Sequence, residues 1–222
     1  MVCALAHDVK APLSVILGHA ELLAGSFGGR PNPAEQSSSL KCIRENIDRI
    51  VNLVIGFLNV SELVTPKAEA SKTAVELNPI LRDVIRQQTV ALRKKDLNVR
   101  LELADDLKSC HGDQNQLERV LWNLIDNAIK YTPPGGAITL TSRMVGGNIS
   151  LSISDSGVGI PKRELPNLFR EFKRFEGSAN IEGTGLGLFI VKTILDDHNG
   201  AIDVQSEKGA GTTFNIELPA RG

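Results

Sequence analysis

The sequence predicts two structural classes in one chain, an antiparallel helical hairpin followed by an α/β sandwich. Apolar residues repeat every seven positions before about residue 63, as in a helical bundle. After residue 75 the pattern changes to short apolar runs, typical of strands, that alternate with amphipathic helices. We therefore predict a hairpin over 1–65, a linker over 66–74 and a second domain over 75–222.

The composition gives no sign that the chain binds a membrane or nucleic acid. The 222 residues suffice for two modest domains, and the net charge of −1 creates no field that attracts polyanions. No apolar run approaches the roughly 20 residues of a membrane span. Three cysteines, Cys3, Cys42 and Cys110, are odd in number and widely spaced, which argues against disulfides or a zinc site. The cysteine pattern also fits a reducing cytosol, so we expect a cytoplasmic location.

The first helix has an apolar stripe whose members alternate steps of four and three: Val9, Leu13, Ile16, Ala20 and Leu23. Pro12 lies inside the stripe and is expected to bend or loosen the helix, because it lacks an amide donor. The segment from Gly25 to Pro33 is rich in glycine and proline and predicts a hairpin loop.

A second helix is predicted from Ser38 to about Leu63. It carries two seven-residue series, Leu40, Ile47 and Val54 in one and Ile43, Ile50 and Phe57 in the other. Two amphipathic helices cannot bury both stripes between themselves, so we expect a dimeric four-helix bundle. The polar segment from Thr65 to Lys72 has no periodicity and marks the linker.

The second domain is predicted to contain a mixed sheet with helices on one side. Asn78-Pro79 should cap and begin a helix reaching about Lys94. A further helix is predicted from Leu186 to His198, whose imidazole should interact with a helix end. The segment Val145-Gly146-Gly147 is a hairpin signal between two strands. The predicted strands are Asn98 to Leu103, Ala137 to Met144, Ile149 to Asp155, Ala201 to Gln205 and Thr212 to Leu218.

The helix predicted from Asp113 to Thr132 carries polar residues that a core helix would not need. Its apolar face comprises Leu117, Val120, Leu121, Leu124, Ile125 and Ala128. Asn123, Asn127, Lys130 and Tyr131 lie within about two turns and could converge on one ligand. From this helix alone, a solvated polar stripe is an equal alternative.

Three glycine clusters favour the ligand site: Asp155 to Ile160, Gly183 to Leu188, and Gly209 to Phe214. The middle cluster leads directly into an amphipathic helix, and a glycine-rich helix start is suited to phosphate. No Gly-Lys-Ser/Thr follows, so this is not a Walker loop, and no strand precedes it at the distance of a dinucleotide fingerprint.

These motifs resemble those of the sensor histidine kinases, whose ATP-binding domain shares its Bergerat (GHKL) fold with DNA gyrase and mismatch-repair ATPases. Residues 123–130 resemble the N box, 169–174 the F box, and the three clusters the glycine motifs. Ala6 to Leu13 resembles the H box. The order and spacing of the motifs agree, and the resemblance covers essentially the whole chain.

The resemblance implies a site for ATP and Mg²⁺. It makes His7 the phosphoacceptor with Asp8 as its orienter, and Asn127 the metal ligand. Lys130 and Arg174 would meet phosphates, and Asp155 the adenine amino group. The implied nucleotide-binding residues are Asn123, Asn127, Lys130, Tyr131, Asp155, Gly157, Gly159, Arg174, Gly183, Gly185, Leu186, Gly187 and Thr213, with a mobile lid over about 172–182.

The resemblance also implies a function, and it allows this chain to be the cytoplasmic part of a larger membrane-bound sensor. One residue departs from the gyrase-type ATPases and one from the usual H box. The chain would phosphorylate His7 and pass the group to an aspartate of a response regulator, as a homodimer; a degenerate nucleotide-binding module is the alternative. Asn123 occupies the position of the water-activating glutamate of gyrase-type ATPases, so hydrolysis should be slow. Ala11 replaces the usual threonine or asparagine that orients water, which predicts weak phosphatase activity.

Overall fold

The computed structural model describes residues 2–25, 32–44, 46–47, 50, 72–170 and 185–221, with the backbone alone for 2–8. The chain divides into two compact units, Met1–Val64 and Thr65–Gly222. Among the described residues, no helix is long and apolar enough to cross a bilayer. The predicted hairpin tip, linker and lid fall largely or wholly outside the described residues.

In the first unit, α1 spans Val2–Leu23 and continues through Pro12. The second helix, α2, begins at residue 33 and is described over 33–44 and at 46–47 and 50. It starts earlier than predicted because Asn32 Oδ1 accepts from the amides of Ala34 and Glu35, while the Asn32 amide donates to Glu35 Oε2. This reciprocal pair is a capping box. His19 and Ser39 join the two helices by a 3.2 Å hydrogen bond.

The two apolar series on α2 differ in exposure within the single chain. Ile43 and Ile50 are half-buried. Leu40 and Ile47 remain 58% and 46% exposed, and Leu13 on α1 is 55% exposed. Exposed apolar side chains of this size on neighbouring helices mark an interaction face.

The second unit is built on a five-stranded sheet of order β2-β4-β5-β7-β6. β2 pairs in parallel with β4, and every other pairing in this sheet is antiparallel. The strands are β2 Asn98–Leu103, β4 Ala137–Val145, β5 Asn148–Asp155, β6 Ala201–Glu207 and β7 Gly211–Pro219. The five strands and their order along the chain agree with the predicted mixed sheet.

Helices cover one face of this sheet. α3 is Leu77–Gln87, α4 Thr89–Lys94, α5 Gln114–Tyr131 and α6 Gly187–Asp197, and a 3₁₀ helix spans Lys162–Asn167. Alternate residues of β5, such as Leu151 and Ile153, are buried beneath the helices. The core thus lies between the helical layer and one face of the sheet, as an α/β sandwich requires.

Two features of this unit differ from the prediction. The helix predicted from Asn78 to Lys94 is two helices that meet at Gln88, and its N-cap is Glu76. Asn78 instead donates to Ala104 O and accepts from Ser142 Oγ, which ties α3 to the sheet edge. A two-stranded sheet was not predicted: β1 Thr73–Val75 pairs with β3 Cys110–Gly112.

Candidate functional site

The central helix α5 has the ends that the sequence predicts. Asp113 accepts through Oδ1 from the amides of Asn115 and Gln116 at 2.9 and 3.2 Å, and so caps the N-terminus. The predicted apolar face is fully buried. A second group of side chains is half-buried on other sides of the helix and does not belong to the hydrophobic core: Asn123, Asn127, Lys130 and Tyr131.

Lys95, which the sequence did not suggest as part of the site, binds the C-terminal end of α5. Lys95 Nζ donates to the carbonyls of Ile129, Lys130 and Thr132 at 2.7, 2.8 and 3.0 Å. Positive charge is favourable at the negative end of a helix. Burial lowers the pKa of Lys95. This contact fixes the segment that carries Lys130 and Tyr131.

The start of α6 lies directly against Asn123. A Cβ on Gly187 would lie 2.9 Å from Asn123 Oδ1, so glycine lets the Asn123 side chain approach without moving. The N-cap position is Leu186, which has no side-chain acceptor, and Gly185 before it has a φ of +73°. The N-cap side chain makes no capping hydrogen bond, and amides in the first turn of a helix are suited to bind an anion.

The first glycine loop packs on the other end of α5. The Val158 amide donates to Tyr131 O at 3.2 Å. A Cβ on Gly157 would lie 2.6 Å from that same carbonyl oxygen. The absence of a side chain therefore allows the loop to join the helix beside Tyr131.

Asp155 is a buried carboxyl at the end of β5. Its Oδ1 accepts from the amides of Gly157 and Thr212 at 2.8 and 3.3 Å. Burial raises the pKa of Asp155, and these two amide hydrogen bonds oppose that rise. Among the described residues no donor contacts Oδ2, which leaves an acceptor for a ligand.

The first and last glycine clusters interlock around Asp155. A Cβ on Gly159, where φ is +65°, would overlap Glu207 O, and a Cβ on Gly211, where φ is +99°, would overlap Asp155 O. The Gly209 amide donates to Val158 O at 2.8 Å. These glycines bring the loop after β5 into contact with the turn between β6 and β7.

The structure places Thr212 rather than Thr213 beside Asp155. Thr212 pairs with Asp155 across β7 and β5, whereas Thr213 pairs with Ser154. Side chains alternate between the two faces of a strand, so Thr213 lies on the opposite face, where its hydroxyl is 2.8 Å from that of Ser154. Thr212 is therefore the threonine that lies beside Asp155, and a role of Thr213 in the site stays a prediction.

The roles predicted for the other ligand-binding residues stay predictions. Lys130 forms a 2.6 Å ion pair with Asp126. The Asn127 side chain has no hydrogen-bond partner among the described residues. Arg174 and Gly183 lie outside the described residues.

The predicted phosphoacceptor lies in the other unit. The backbone of His7 and Asp8 lies in α1. Their side chains are outside the described part of the chain. The predicted contact of His198 with a helix end is present, since its Nε2 accepts from the Asp113 amide at 3.0 Å and its Nδ1 donates to Ile194 O at 2.7 Å. This histidine joins the start of α5 to the end of α6.

Two family models match the chain in succession. Residues 1–65 match "His Kinase A (phospho-acceptor) domain". Residues 112–222 match "Histidine kinase-, DNA gyrase B-, and HSP90-like ATPase". The second match contains α5, α6 and all three glycine clusters.

Curated relatives are similar over nearly the full chain. The adaptive-response sensory kinase SasA of Synechococcus elongatus is 31% identical over 99% of this chain and 58% of its own length. The sensor protein SrrB of Staphylococcus aureus is 34% identical over 96% of this chain and 36% of its own length. The chain thus spans less than two thirds of these relatives.

Solved structures agree with the fold. The mycobacterial sensor histidine kinase MprB is 30% identical and covers 68% of this chain with a TM-score of 0.59, 98% of that structure being matched. Histidine kinase ThkA, solved in complex with response regulator TrrA, covers 100% of this chain and 61% of its own with a TM-score of 0.78. At 23% identity, the second likeness concerns the fold alone. Both family models and these relatives show that the chain belongs to the sensor histidine kinases, as a catalytic core in which a phosphoacceptor domain precedes an ATPase domain that binds ATP.

Proposed function

We propose that this chain is an ATP-dependent autokinase that phosphorylates its own His7 and passes the phosphoryl group to an aspartate of a response regulator. The observation that carries the proposal is the junction of α5, α6 and two glycine loops around Asp155 and Asn123. This junction follows a matched phosphoacceptor domain in the same chain. We further propose that the fragment acts in the cytoplasm.

The hydrogen bonds of Asp155 support its proposed role in binding adenine. Its Oδ1 is already held by two amides, and Oδ2 can accept from the exocyclic amino group of adenine. Adenine presents that donor, whereas guanine presents a carbonyl oxygen at the corresponding position. Tyr131 lies next to this end of the site, because its carbonyl binds the same glycine loop.

The phosphate end is supported by α6 and α5. The first-turn amides of α6, whose N-cap side chain makes no capping hydrogen bond, and the positive end of the helix dipole attract phosphate. Lys130 can exchange its partner Asp126 for a phosphate oxygen, because both side chains are partly accessible. ATP supplies the transferable γ-phosphoryl group, and the protein contributes position and charge neutralisation.

Mg²⁺ fits the donor set through Asn127. The amide oxygen of this side chain is a hard ligand of the kind Mg²⁺ prefers, and no described residue donates a hydrogen bond to it. No cluster of three His, Cys, Asp or Glu side chains is present in the described parts of the chain. The ion would therefore depend on Asn127 together with phosphate oxygens and water.

Labelling with γ-labelled ATP tests the proposed reaction. A phosphohistidine is stable in base and labile in acid, whereas a phosphoserine has the opposite pattern. We expect base-stable, acid-labile label that moves to a receiver domain. Absence of label with intact ATP binding would support the alternative of a degenerate binding module, and acid-stable label would indicate a serine kinase.

Replacing Asn127 with alanine is expected to remove the Mg²⁺-dependent part of ATP affinity, because the ion loses its protein ligand. The measurement is ATP binding with Mg²⁺ and with EDTA. Asn115→Ala is the matched control, since Asn115 is exposed on the first turn of the same helix. Equal Mg²⁺ dependence in parent and Asn127→Ala would remove Asn127 from the metal site.

We propose a homodimer formed through the exposed apolar face of the hairpin. Ile47→Asp is expected to dissociate it, because a charge in a dry interface costs more than a surface change. Light scattering measures the mass. Ser38→Asp is the control, because Ser38 is exposed and lies on the opposite side of α2 from Ile47. An intact dimer for Ile47→Asp would contradict this interface.

Weak phosphatase activity is expected from Ala11, which is exposed on α1 one turn after His7. A methyl group cannot orient an attacking water, whereas the hydroxyl of Ala11→Thr can. The measurement is loss of phosphate from a phosphorylated regulator with fragment and ADP. Strong activity in the parent that threonine does not increase would refute the argument.

A further inference from the structure

We propose that the ion pair of Lys72 with Asp197 fastens the chain, where it enters the ATPase unit, to the nucleotide-site helix α6. Lys72 is then a positioning residue for the phosphorylation of His7. This inference rests on the proposed function, because it concerns how the ATPase unit is presented to His7. The fastening itself is a property of the second unit and can be measured without any reaction.

The contact is made by both the side chain and the backbone of Asp197. Lys72 Nζ lies 2.9 Å from Asp197 Oδ2 and donates to Asp197 O at 2.7 Å. The Lys72 side chain is 24% exposed and that of Asp197 56% exposed. Asp197 is the last residue of α6, so the ammonium also meets the negative end of the helix dipole. Three favourable interactions therefore act on one cation.

The strand that follows Lys72 depends on its neighbours for stability. β1 has three residues, of which Thr73 and Ala74 are exposed and Val75 is buried. It pairs with β3 alone, with Thr73 opposite Gly112 and Val75 opposite Cys110. So short a ladder is marginal by itself. Lys72 anchors one end of β1, and Val75 anchors the other.

Beside β1, the N-terminal end of α5 meets the C-terminal end of α6. β3 leads into Asp113, the cap of α5, and His198, directly after α6, accepts a hydrogen bond from the Asp113 amide. A Cβ on Gly112 would lie 2.5 Å from the His198 ring, so glycine permits this packing. We call this group, Lys72, β1, β3, Asp113 and the end of α6, the entry junction.

The entry junction and the nucleotide site occupy opposite ends of the same two helices. α5 begins at the junction and ends beside the first glycine loop, while α6 begins at Gly187 in the site and ends at Asp197. The ion pair thus attaches the incoming chain to a rigid element whose other end contacts the nucleotide. Breaking it would free residues 72–74, because Val75 stays buried, and would lengthen the predicted linker that begins at residue 66.

Linker length determines how often two tethered units meet. Once a linker is long enough to span two sites, the effective concentration of one site for the other falls roughly as the −3/2 power of linker length. Lengthening the linker from 66–71 to 66–74 would lower the encounter frequency by about twofold on this scale, and loss of the fixed exit direction would add to that. The ATP pocket would keep its own contacts, so nucleotide affinity should not change.

The test compares Lys72→Met with the matched control Lys192→Met in the full chain. Methionine keeps much of the length of the side chain and removes the charge. Lys192 forms a similarly short pair, 2.6 Å, with Asp196 on the same helix but away from the entry strand. The measurements are hydrogen exchange at Thr73–Val75, ADP affinity, and kcat and KM for autophosphorylation.

For Lys72→Met we expect about three- to tenfold faster exchange of the β1 amides and roughly a two- to fivefold lower kcat, with ADP affinity and KM unchanged. Lys192→Met should match the parent in all four. Unchanged exchange would overturn the fastening, and faster exchange with an unchanged kcat would overturn the positioning role. Failure of the parent to label itself would refute the proposed function while the exchange measurement still decides the fastening.

Discussion

Replacing His7 with glutamine is expected to abolish autophosphorylation and to leave ATP affinity unchanged. Glutamine has similar length and polarity but no nucleophilic ring nitrogen. The residues proposed to bind the nucleotide belong to Thr65–Gly222, whereas His7 belongs to Met1–Val64, so the substitution removes none of them. The measurements are incorporation of label from γ-labelled ATP and binding of ADP.

A second histidine on the same helix supplies the control. His19 contacts Ser39 through a hydrogen bond that a glutamine amide can replace. His19→Gln should therefore retain base-stable label at the level of the parent. Label that persists on His7→Gln, or disappears equally from both variants, would be incompatible with His7 as the phosphoacceptor.

Asp155→Asn is expected to lower adenine nucleotide affinity by about 10- to 100-fold, as the loss of a hydrogen bond to a charged acceptor costs about 1.5–3 kcal/mol. The asparagine oxygen can still accept from Gly157 and Thr212, so the loop should keep its shape. The other amide position then presents a donor to the adenine amino group, which is also a donor. The substitution thus replaces an attraction by a repulsion at one atom.

The same substitution is expected to increase the free energy of unfolding at neutral pH. Burial raises the pKa of Asp155 in the folded chain above its ordinary value of 3.8, so ionisation costs stability as the pH rises through the folded-state pKa. Below pH 3.8 the carboxyl is protonated in both folded and unfolded states and this cost is absent. Asparagine never ionises. The stability gain of the variant should therefore be present at pH 7 and vanish in acid.

Thermal unfolding with and without ADP separates the two effects of Asp155→Asn. Without nucleotide the variant should melt at a higher temperature than the parent at pH 7, and ADP should raise its melting temperature much less. Asp203→Asn on β6 is the control, because Asp203 is exposed and should show neither change. An ADP-induced rise as large in Asp155→Asn as in the parent would exclude Asp155 from adenine recognition.

Local sequence determined the elements whose signals lie within a few residues. Asp113 and the proline-glycine segment after Thr132 set the ends of α5, because capping and helix termination involve neighbours in the chain. Gly146 and Gly147, with φ of +58° and +87°, form the predicted hairpin turn between β4 and β5. The helix faces followed from their periodicity for the same reason.

Some errors concerned local signals that were read incompletely. Asn32 and Glu35 form a capping box, three residues apart, that starts α2 earlier than the apolar series suggested. The break at Gln88 has a weaker signal, since Thr89 Oγ1 donates to Arg86 O at 2.6 Å within a helical pattern that is otherwise continuous. Such hydrogen bonds compete with regular helix.

Strand register decided which of two adjacent threonines lies beside Asp155. Thr212 and Thr213 are chemically equivalent in the sequence, and a shift of one residue exchanges the faces of a strand. The pairing of Asp155 with Thr212 places that residue on the buried face and Thr213 on the other. Register depends on the partner strand, so residue identity alone could not resolve the choice.

The sequence by itself determined the two-part architecture, the central helix and the residues of the glycine loops, because each rests on periodicity or on conformations that glycine permits. Tertiary structure decided the contacts between distant residues. Lys95 binds three carbonyls at the end of α5, His198 accepts from the Asp113 amide, and Lys72 pairs with Asp197. A cation or imidazole can serve any free carbonyl or amide, and the fold alone brings one particular partner within hydrogen-bonding distance.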